Sequence, residues 1–384
     1  MLRRLVALAG IGAAFLVASA AATSAPAPSV RASAVLVGNG VDGELLHGVR
    51  QAQPLAIASI TKLMTALVVL EHARPGEVVR VGGPAPTIGG STIGLRAGER
   101  LSVGDLLTAL LVESANDAAY ALAYHVGDGS VARFVAMMNE KAAELGLRDT
   151  HFTRPDGLDA PGHRSSARDI FKLARAAMHK PFIRKTVRTR TATIAGGRTV
   201  STWNDLLYQY PGTIGVKTGH TDDAGWSQVA AARRNGVTVY AVILGSASRE
   251  RRNADLIRLL DWGFSRYRDV AAVKTGRTYA EVGVPYSDAR LRLVAPNDVT
   301  ATVMIGHRLV ERIVVPETVA LPVAKGQPLG KLEVYEGKRL IATSPLVAAE
   351  AVEGAGLGAR VGWYAGRALD HVGNVFGGFI GLFS

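Results

Sequence analysis

Residues 215–245 read "GVKTGHTDDAGWSQVAAARRNGVTVYAVILG". Two apolar, β-branched runs flank Asn235-Gly236, the dipeptide best suited to a two-residue hairpin turn. A strand carrying Lys217, Thr218 and Gly219 stands just before this hairpin, preceded by "GTIGV". It reads as a sheet edge, where backbone hydrogen bonds could align an extended peptide. Gly219 would let a ligand approach the backbone closely, and Lys217 offers charge for a carboxylate.

Working outward, "SAVLVGNG" (33–40) reads as a strand ending in a turn. "TKLMTALVVLEHA" (61–73) has leucines at helical spacing, and "LSVGDLLTALLVE" (101–113) and "SVARFVAMMNEKAAELG" (130–146) predict two more helices, the latter stopped by Gly146. "NADLIRLLDWGF" (253–264) predicts a closing helix. Together these imply an α/β (α+β) domain with an antiparallel sheet over 34–267. From 268 to 349 the segments "VTATVMI", "RIVVPE" and "KLEVYEGKRLIATSPLVA" are short, β-branched and separated by turns, as in a small all-β domain.

The two ends differ from both domains. "MLRRLVALAGIGAAFLVASA" has a basic start, an apolar centre and a small-residue finish, which predicts a secretory signal over about 1–25. An uncleaved membrane anchor is the other reading. Residues 355–384 carry apolar side chains every three or four positions, including Val361, Leu369, Phe376 and Phe383. The uncharged end, Val372 to Ser384, is too short to span a bilayer as a helix. It could lie in a membrane interface or pack on its own protein.

Composition narrows the chemistry. There are 44 basic and 32 acidic residues among 384, a net charge of +12. Without a dense basic run interleaved with aromatics, nucleic acid is disfavoured, whereas an anionic membrane or wall polymer suits the charge. Cysteine is absent, so thiol catalysis and disulfides are excluded. The nine histidines show no metal-binding spacing. No metal or cofactor is expected.

Three short motifs remain. "IASITK" (57–62) places Ser59 and Lys62 three apart at a helix start, on one face, so the amine can reach the hydroxyl. A serine needs a base to attack a carbonyl, and a lysine serves if burial lowers its pKa. "VESANDAA" (112–119) supplies Ser114 and Asn116, able to pass a proton and to bind a carbonyl or orient Lys62; either could also cap the helix "NDAAYALAYHV". The third is Lys217-Thr218-Gly219. A second Lys-Thr-Gly at 274–276 has no suitable hairpin after it and is set aside. Ser59-Lys62 is the chain's only Ser-x-x-Lys, and Ser114-Asn116 its only Ser-x-Asn.

With these motifs in this order, and with "GLRAGERLSVGDLLTALLVESANDAAYALA", "HRSSARDIFKLAR" and the opening segment around them, the chain resembles the serine-type D-alanyl-D-alanine carboxypeptidases, the low-molecular-mass penicillin-binding proteins. The resemblance covers nearly the whole chain. It implies a β-lactamase/transpeptidase-like domain with a helical subdomain, then a small all-β domain and an amphipathic tail at an anionic membrane surface. It also implies removal of the terminal D-alanine from peptidoglycan pentapeptides, with β-lactam antibiotics as inhibitors acylating the same serine. Ser59 would be the nucleophile and Lys62 its base. The backbone N–H groups of Ser59 and His220 would form the oxyanion hole. Lys217 and Thr218 would hold the substrate carboxylate, helped by one arginine of "SASRERR", with Arg249 the candidate.

Departures from the family pattern lie in "VGNGVDGELL", in "STWNDLL" (201–207) where an Asn-rich segment is more usual, and at Arg154 where Asn is common. A class A β-lactamase would need a glutamate to activate the deacylating water; residues 184–212 contain none. A DD-endopeptidase would use the same site. A non-catalytic wall-binding protein would be expected to have lost one of the three motifs, and none is lost.

Overall fold

The computed structural model of the chain describes residues 15–17, 25–358, 360, 361 and 363. The remainder of the leader-like segment, and the tail beyond Trp363, lie outside the described residues. Among the described residues no helix is long and apolar enough to cross a membrane. The chain divides into a unit spanning Ala25–Arg266 and a second containing Tyr267 onward.

The first unit is built on a five-stranded antiparallel sheet. Its strands are Ala34–Asn39 (β1), Leu45–Val49 (β2), Thr213–Thr221 (β3), Gly225–Arg234 (β4) and Val237–Ser246 (β5), ordered β2-β1-β5-β4-β3. The hairpin turn falls at Asn235-Gly236, with φ of 46° and 78°, the left-handed pair that matches strand twist. It sets the β4–β5 register, and β3 pairs on β4 with Lys217 opposite Val229 and Gly219 opposite Ser227. The motif therefore lies on an edge strand, as its sequence predicts.

Both sheet faces are covered, which is why β1 is buried at every position. On one face Phe171 of helix Ala167–His179 (α4) meets Tyr240 edge-on, with ring centroids 5.7 Å apart. That ring leaves room only for a glycine at 38, where a Cβ would come within 2.5 Å of it. On the other face helix Arg249–Ser265 (α5) packs through Gly263 onto Val37 and Val239.

Between β2 and β3 the chain forms the helical region, including Lys62–His72 (α1), Asn116–Val126 (α2) and Val131–Glu144 (α3). The first eight residues of α1 are all buried, matching its almost uniformly apolar sequence. Three elements differ from the sequence expectation. Ser59 sits on a 3-10 turn, Ala58–Thr61, that leads into α1. The helix expected over 101–113 is α-helical only from Val103 to Thr108, then widens into a π turn, Ala109–Glu113. Helix α5 starts four residues early, capped by Ser248 Oγ, which accepts from the Arg251 N–H at 3.2 Å. That brings Arg249 and Arg252 into a helix rather than a loop.

The second unit is all-β. Tyr267–Val273 pairs with Val299–Met304, and Arg290–Val294, Leu309–Val314, Pro328–Glu336, Arg339–Ala348 and Thr278–Gly283 form an antiparallel sheet, with Phe15–Val17 beside Leu309–Glu311. Alternating burial along its strands builds a small separate core around Leu293, Leu332, Val334 and Leu346. The second Lys-Thr-Gly forms a turn here, with the Thr275 N–H bonded to Asp298 Oδ1 at 2.6 Å.

Candidate active site

The three motifs converge on one cleft. At its centre Lys62 is fully buried, and its Nζ donates to Ser59 Oγ at 2.7 Å, Asn116 Oδ1 at 2.7 Å and the Asp156 carbonyl at 2.6 Å. Three acceptors use all three ammonium hydrogens. Burial pushes the amine down to about 7, opposed by the Asp156 carboxylate and helped by the Arg154 guanidinium. Arg154 forks onto that same fully buried carboxylate, with Nε and Nη2 at 2.6 and 3.0 Å. Much of the field that would keep Lys62 charged is thereby cancelled.

Ser114 follows the π turn in a left-handed conformation, φ 65°. Its Oγ accepts from Lys217 Nζ at 2.9 Å. Helix α2 begins after Ala115, with no side-chain cap. The capping role open to Ser114 or Asn116 is therefore not used, because both side chains turn to lysines. Asn116 is pinned at its other end by Nδ2 donating to Gly89 O at 2.8 Å.

Lys217 is also fully buried, and burial, with Lys62 and Arg252 nearby, holds its pKa well below the usual lysine value. Two residues on, Gly219 presses on the backbone around Ser59. A Cβ there would stand 2.8 Å from the Ile57 carbonyl and 3.1 Å from the Ser59 amide nitrogen. The strand edge at Gly219–His220 thus runs alongside the Ser59 amide. His220 is steadied by Trp226, with ring centroids 4.0 Å apart. Ala58, just before the nucleophile, holds φ 48°, a conformation costing about 1 kcal/mol or more outside glycine.

A cavity of about 340 Å³ opens over these groups, lined among others by Ser59, Ser114, Thr218, Trp203, Arg249 and Arg252. It is the space in which an extended peptide would lie along β3. The chain belongs to the D-alanyl-D-alanine carboxypeptidase family. Residues 20–248 match that family, and residues 267–354 match the C-terminal domain of penicillin-binding protein 5. The D-alanyl-D-alanine carboxypeptidase DacF of Bacillus subtilis is 33% identical over 84% of this chain and 86% of its own. DacD of Salmonella typhimurium is 33% identical over 91% and 93%. Among solved structures, Escherichia coli penicillin-binding protein 6B has 30% identity and TM-score 0.62 over 86% of this chain and 99% of that one. The Streptomyces K15 DD-transpeptidase has 33% identity and TM-score 0.60 over 63% and 100%.

Within this carboxypeptidase fold, both of the cavity's arginines approach Asp205, Arg252 through Nη2 at 3.6 Å and Arg249 more closely. Arg249 forks onto Asp205 through Nε at 2.7 Å and Nη2 at 2.5 Å. Arg252 is buried beneath Trp226, its Cζ 5.7 Å from the indole centroid, and burial lowers its pKa to about 10. The sequence left the choice open among the three arginines of "SASRERR" with Arg249 the candidate; i, i+3 spacing on one helix groups Arg249 with Arg252 and leaves out Arg251. Sequence reasoning missed Trp203, Trp226 and Asp156, whose contribution to the Lys62 site is a backbone carbonyl and so carries no sequence signal.

Proposed function

We propose that this chain hydrolyses the terminal D-Ala-D-Ala bond of peptidoglycan pentapeptide stems through an acyl-enzyme on Ser59. The observation that carries the reading is the buried Lys62 amine 2.7 Å from the Ser59 hydroxyl, with a pKa of about 7. Near neutrality a large share of it is unprotonated and ready to accept a proton. Ser59 Oγ attacks the carbonyl joining the two D-alanines while Lys62 takes the hydroxyl proton. The Ser59 and His220 N–H groups receive the oxyanion, supplying donors where charge develops. The proton that Lys62 took passes to the departing amine through the hydroxyl of Ser114, which is bonded to Lys217, and Lys62 returns to its neutral form. Water then cleaves the ester, with Lys62 again accepting a proton.

Lys217, Thr218 and the buried Arg252 receive the terminal carboxylate. In the empty cleft Lys217 is disfavoured as a cation by burial and by two cationic neighbours. An arriving carboxylate offsets both, so binding restores its charge. Asn116 holds Lys62 in place. Arg249 borders the carboxylate's end of the cleft, its charge balanced by Asp205. β-Lactams acylate the same serine. The apolar periodicity of the tail and the basic balance of the chain support an exported protein, peripherally held at the outer face of the cytoplasmic membrane.

The test is release of free D-alanine from a D-Ala-D-Ala-terminated pentapeptide by the purified chain, with Ser59→Ala alongside. Release that vanishes in the variant, together with a penicillin adduct on Ser59, supports the reading. Neither release nor adduct in the parent chain would sink it.

A further inference from the structure

One wall of the cleft is unusual for its chemistry and is not used by the steps above. Trp203 leaves the hairpin formed by Thr191–Ile194 and Arg198–Ser201, and lines the cavity while remaining 46% exposed. Large indoles are seldom left so open without a ligand to meet. This one is also fixed in position. Its Nε1 donates to the Glu113 carbonyl at 3.0 Å, and the Glu113 carboxylate accepts the Ser201 N–H at 2.7 Å. Glu113 directly precedes Ser114, so the indole is moored beside the proton-donating serine. From behind, the Arg249 guanidinium stands 5.6 Å from the ring centroid and is locked by Asp205, two residues after the tryptophan. Trp203, Asp205 and Arg249 brace one another.

The position of this brace defines which part of the substrate it meets. Ser114, Lys217, Arg249 and Arg252 cluster at the end of the cleft that takes the terminal carboxylate. A residue bound there, with its carboxylate on Lys217 and its amine toward Ser114, lies in the same cavity that the indole lines.

We propose that Trp203 is the specificity-determining residue for the leaving amino acid, forming a wall that admits the methyl group of D-alanine and rejects a long side chain. The inference rests on the reading that Ser59 cleaves a D-Ala-D-Ala bond, and it decides between the two hydrolyses that such a site could perform. In a cross-linked stem the leaving residue is a diamino acid whose chain continues into the neighbouring strand. The wall excludes that residue, so the chain trims free stems and leaves cross-links intact. A rigid aromatic surface achieves this by occupying volume, at a discrimination of about 10- to 200-fold for one methylene.

Two peptides differing only in the leaving residue test the proposal, one ending in D-Ala-D-Ala and the other in D-Ala-D-Lys. Release of the terminal residue is measured for the parent chain, Trp203→Ala and Trp203→Phe, with penicillin acylation of Ser59 as a check on the catalytic core. The parent is expected to prefer the D-alanine peptide in kcat/KM. Trp203→Ala should lose at least about tenfold of that preference by gaining on the D-lysine peptide. Trp203→Phe should keep most of the preference. An unchanged ratio in a Trp203→Ala chain that still acylates normally overturns the proposal alone. Equal losses on both peptides also overturn it, because the indole would then support the site as a whole. A parent chain that neither acylates nor releases either residue overturns the underlying hydrolytic reading.

Discussion

The lysine proposed to activate Ser59 is the most exacting element of the site, and it has a measurable signature. Burial moves the Lys62 amine from 10.5 to about 7. That shift corresponds to about 5 kcal/mol of added preference for the neutral form. If the neutral amine is the base, the acylation rate follows its population. About 1% of Lys62 is neutral at pH 5, about half at pH 7 and about 90% at pH 8. Acylation by a fluorescent penicillin, followed by stopped flow, should therefore rise nearly tenfold per pH unit from 5 to 6.5 and level off above 8. Arg154→Gln sharpens the test. Removing the guanidinium frees the Asp156 carboxylate to favour the ammonium form, which should move the midpoint upward by about one unit. Circular dichroism would confirm that the variant is folded. A profile flat from pH 5 to 8, or one still climbing at pH 9.5, would refute the assignment of Lys62 as a base prepared by burial. An unmoved midpoint in a folded Arg154→Gln chain would refute the role given to the Arg154–Asp156 pair.

Other consequences follow from single side chains. Gly219→Ala puts a methyl 2.8 Å from the Ile57 carbonyl and 3.1 Å from the Ser59 amide, so acylation should fall by about a hundredfold, with a stability loss of about 1–3 kcal/mol by urea denaturation. Arg252→Ala should raise KM for the pentapeptide by at least about tenfold, whereas Arg249→Ala, whose guanidinium is forked onto Asp205 by two hydrogen bonds where Arg252 stands 3.6 Å away, should raise it less; equal effects would count against the assignment. His163 is buried, accepts the Thr153 N–H at Nδ1 (3.1 Å) and bonds Thr61 Oγ1 through Nε2 (2.8 Å). Burial lowers its pKa to about 4. The unfolded chain then binds more protons than the folded one between pH 6.5 and 4, so stability is present above 6.5 and lost as pH falls to 4. About 3 kcal/mol should disappear across that window, and His163→Gln should flatten that part of the urea-midpoint curve.

The hairpin, the separate β-rich unit and the meeting of Ser59, Lys62, Ser114, Asn116 and Lys217 were all legible in sequence. Each rests on a local pattern, namely turn chemistry, periodicity or a short motif whose spacing is itself geometry. What was not legible depended on partners distant in the chain. The difference between Arg249 and Arg252 lies in how closely each holds Asp205, some 45 positions earlier, and the Lys62 environment turns on a carbonyl from residue 156. The π turn before Ser114 was hidden because "TALLVE" suits an α-helix equally well. Its left-handed exit is stabilised in place by the bond from Ser114 to Lys217, about 100 residues away.

The order of strands in the sheet has a consequence for when activity first arises. Strand β1 lies between β2 and β5, and its pairing joins Ala34 to Leu244, 210 positions apart in the chain. The segment bearing Ser59 is synthesised early, yet the edge it needs belongs to β3, and β3 is attached only through β4 to β5. Closing a contact that long is among the slow events of folding. A growing chain thus carries its serine hydroxyl without the Gly219–His220 edge and the Lys217 side chain that the finished fold sets beside it. Hydrolytic competence comes as a late, all-at-once event, when the last strand of the sheet is in place.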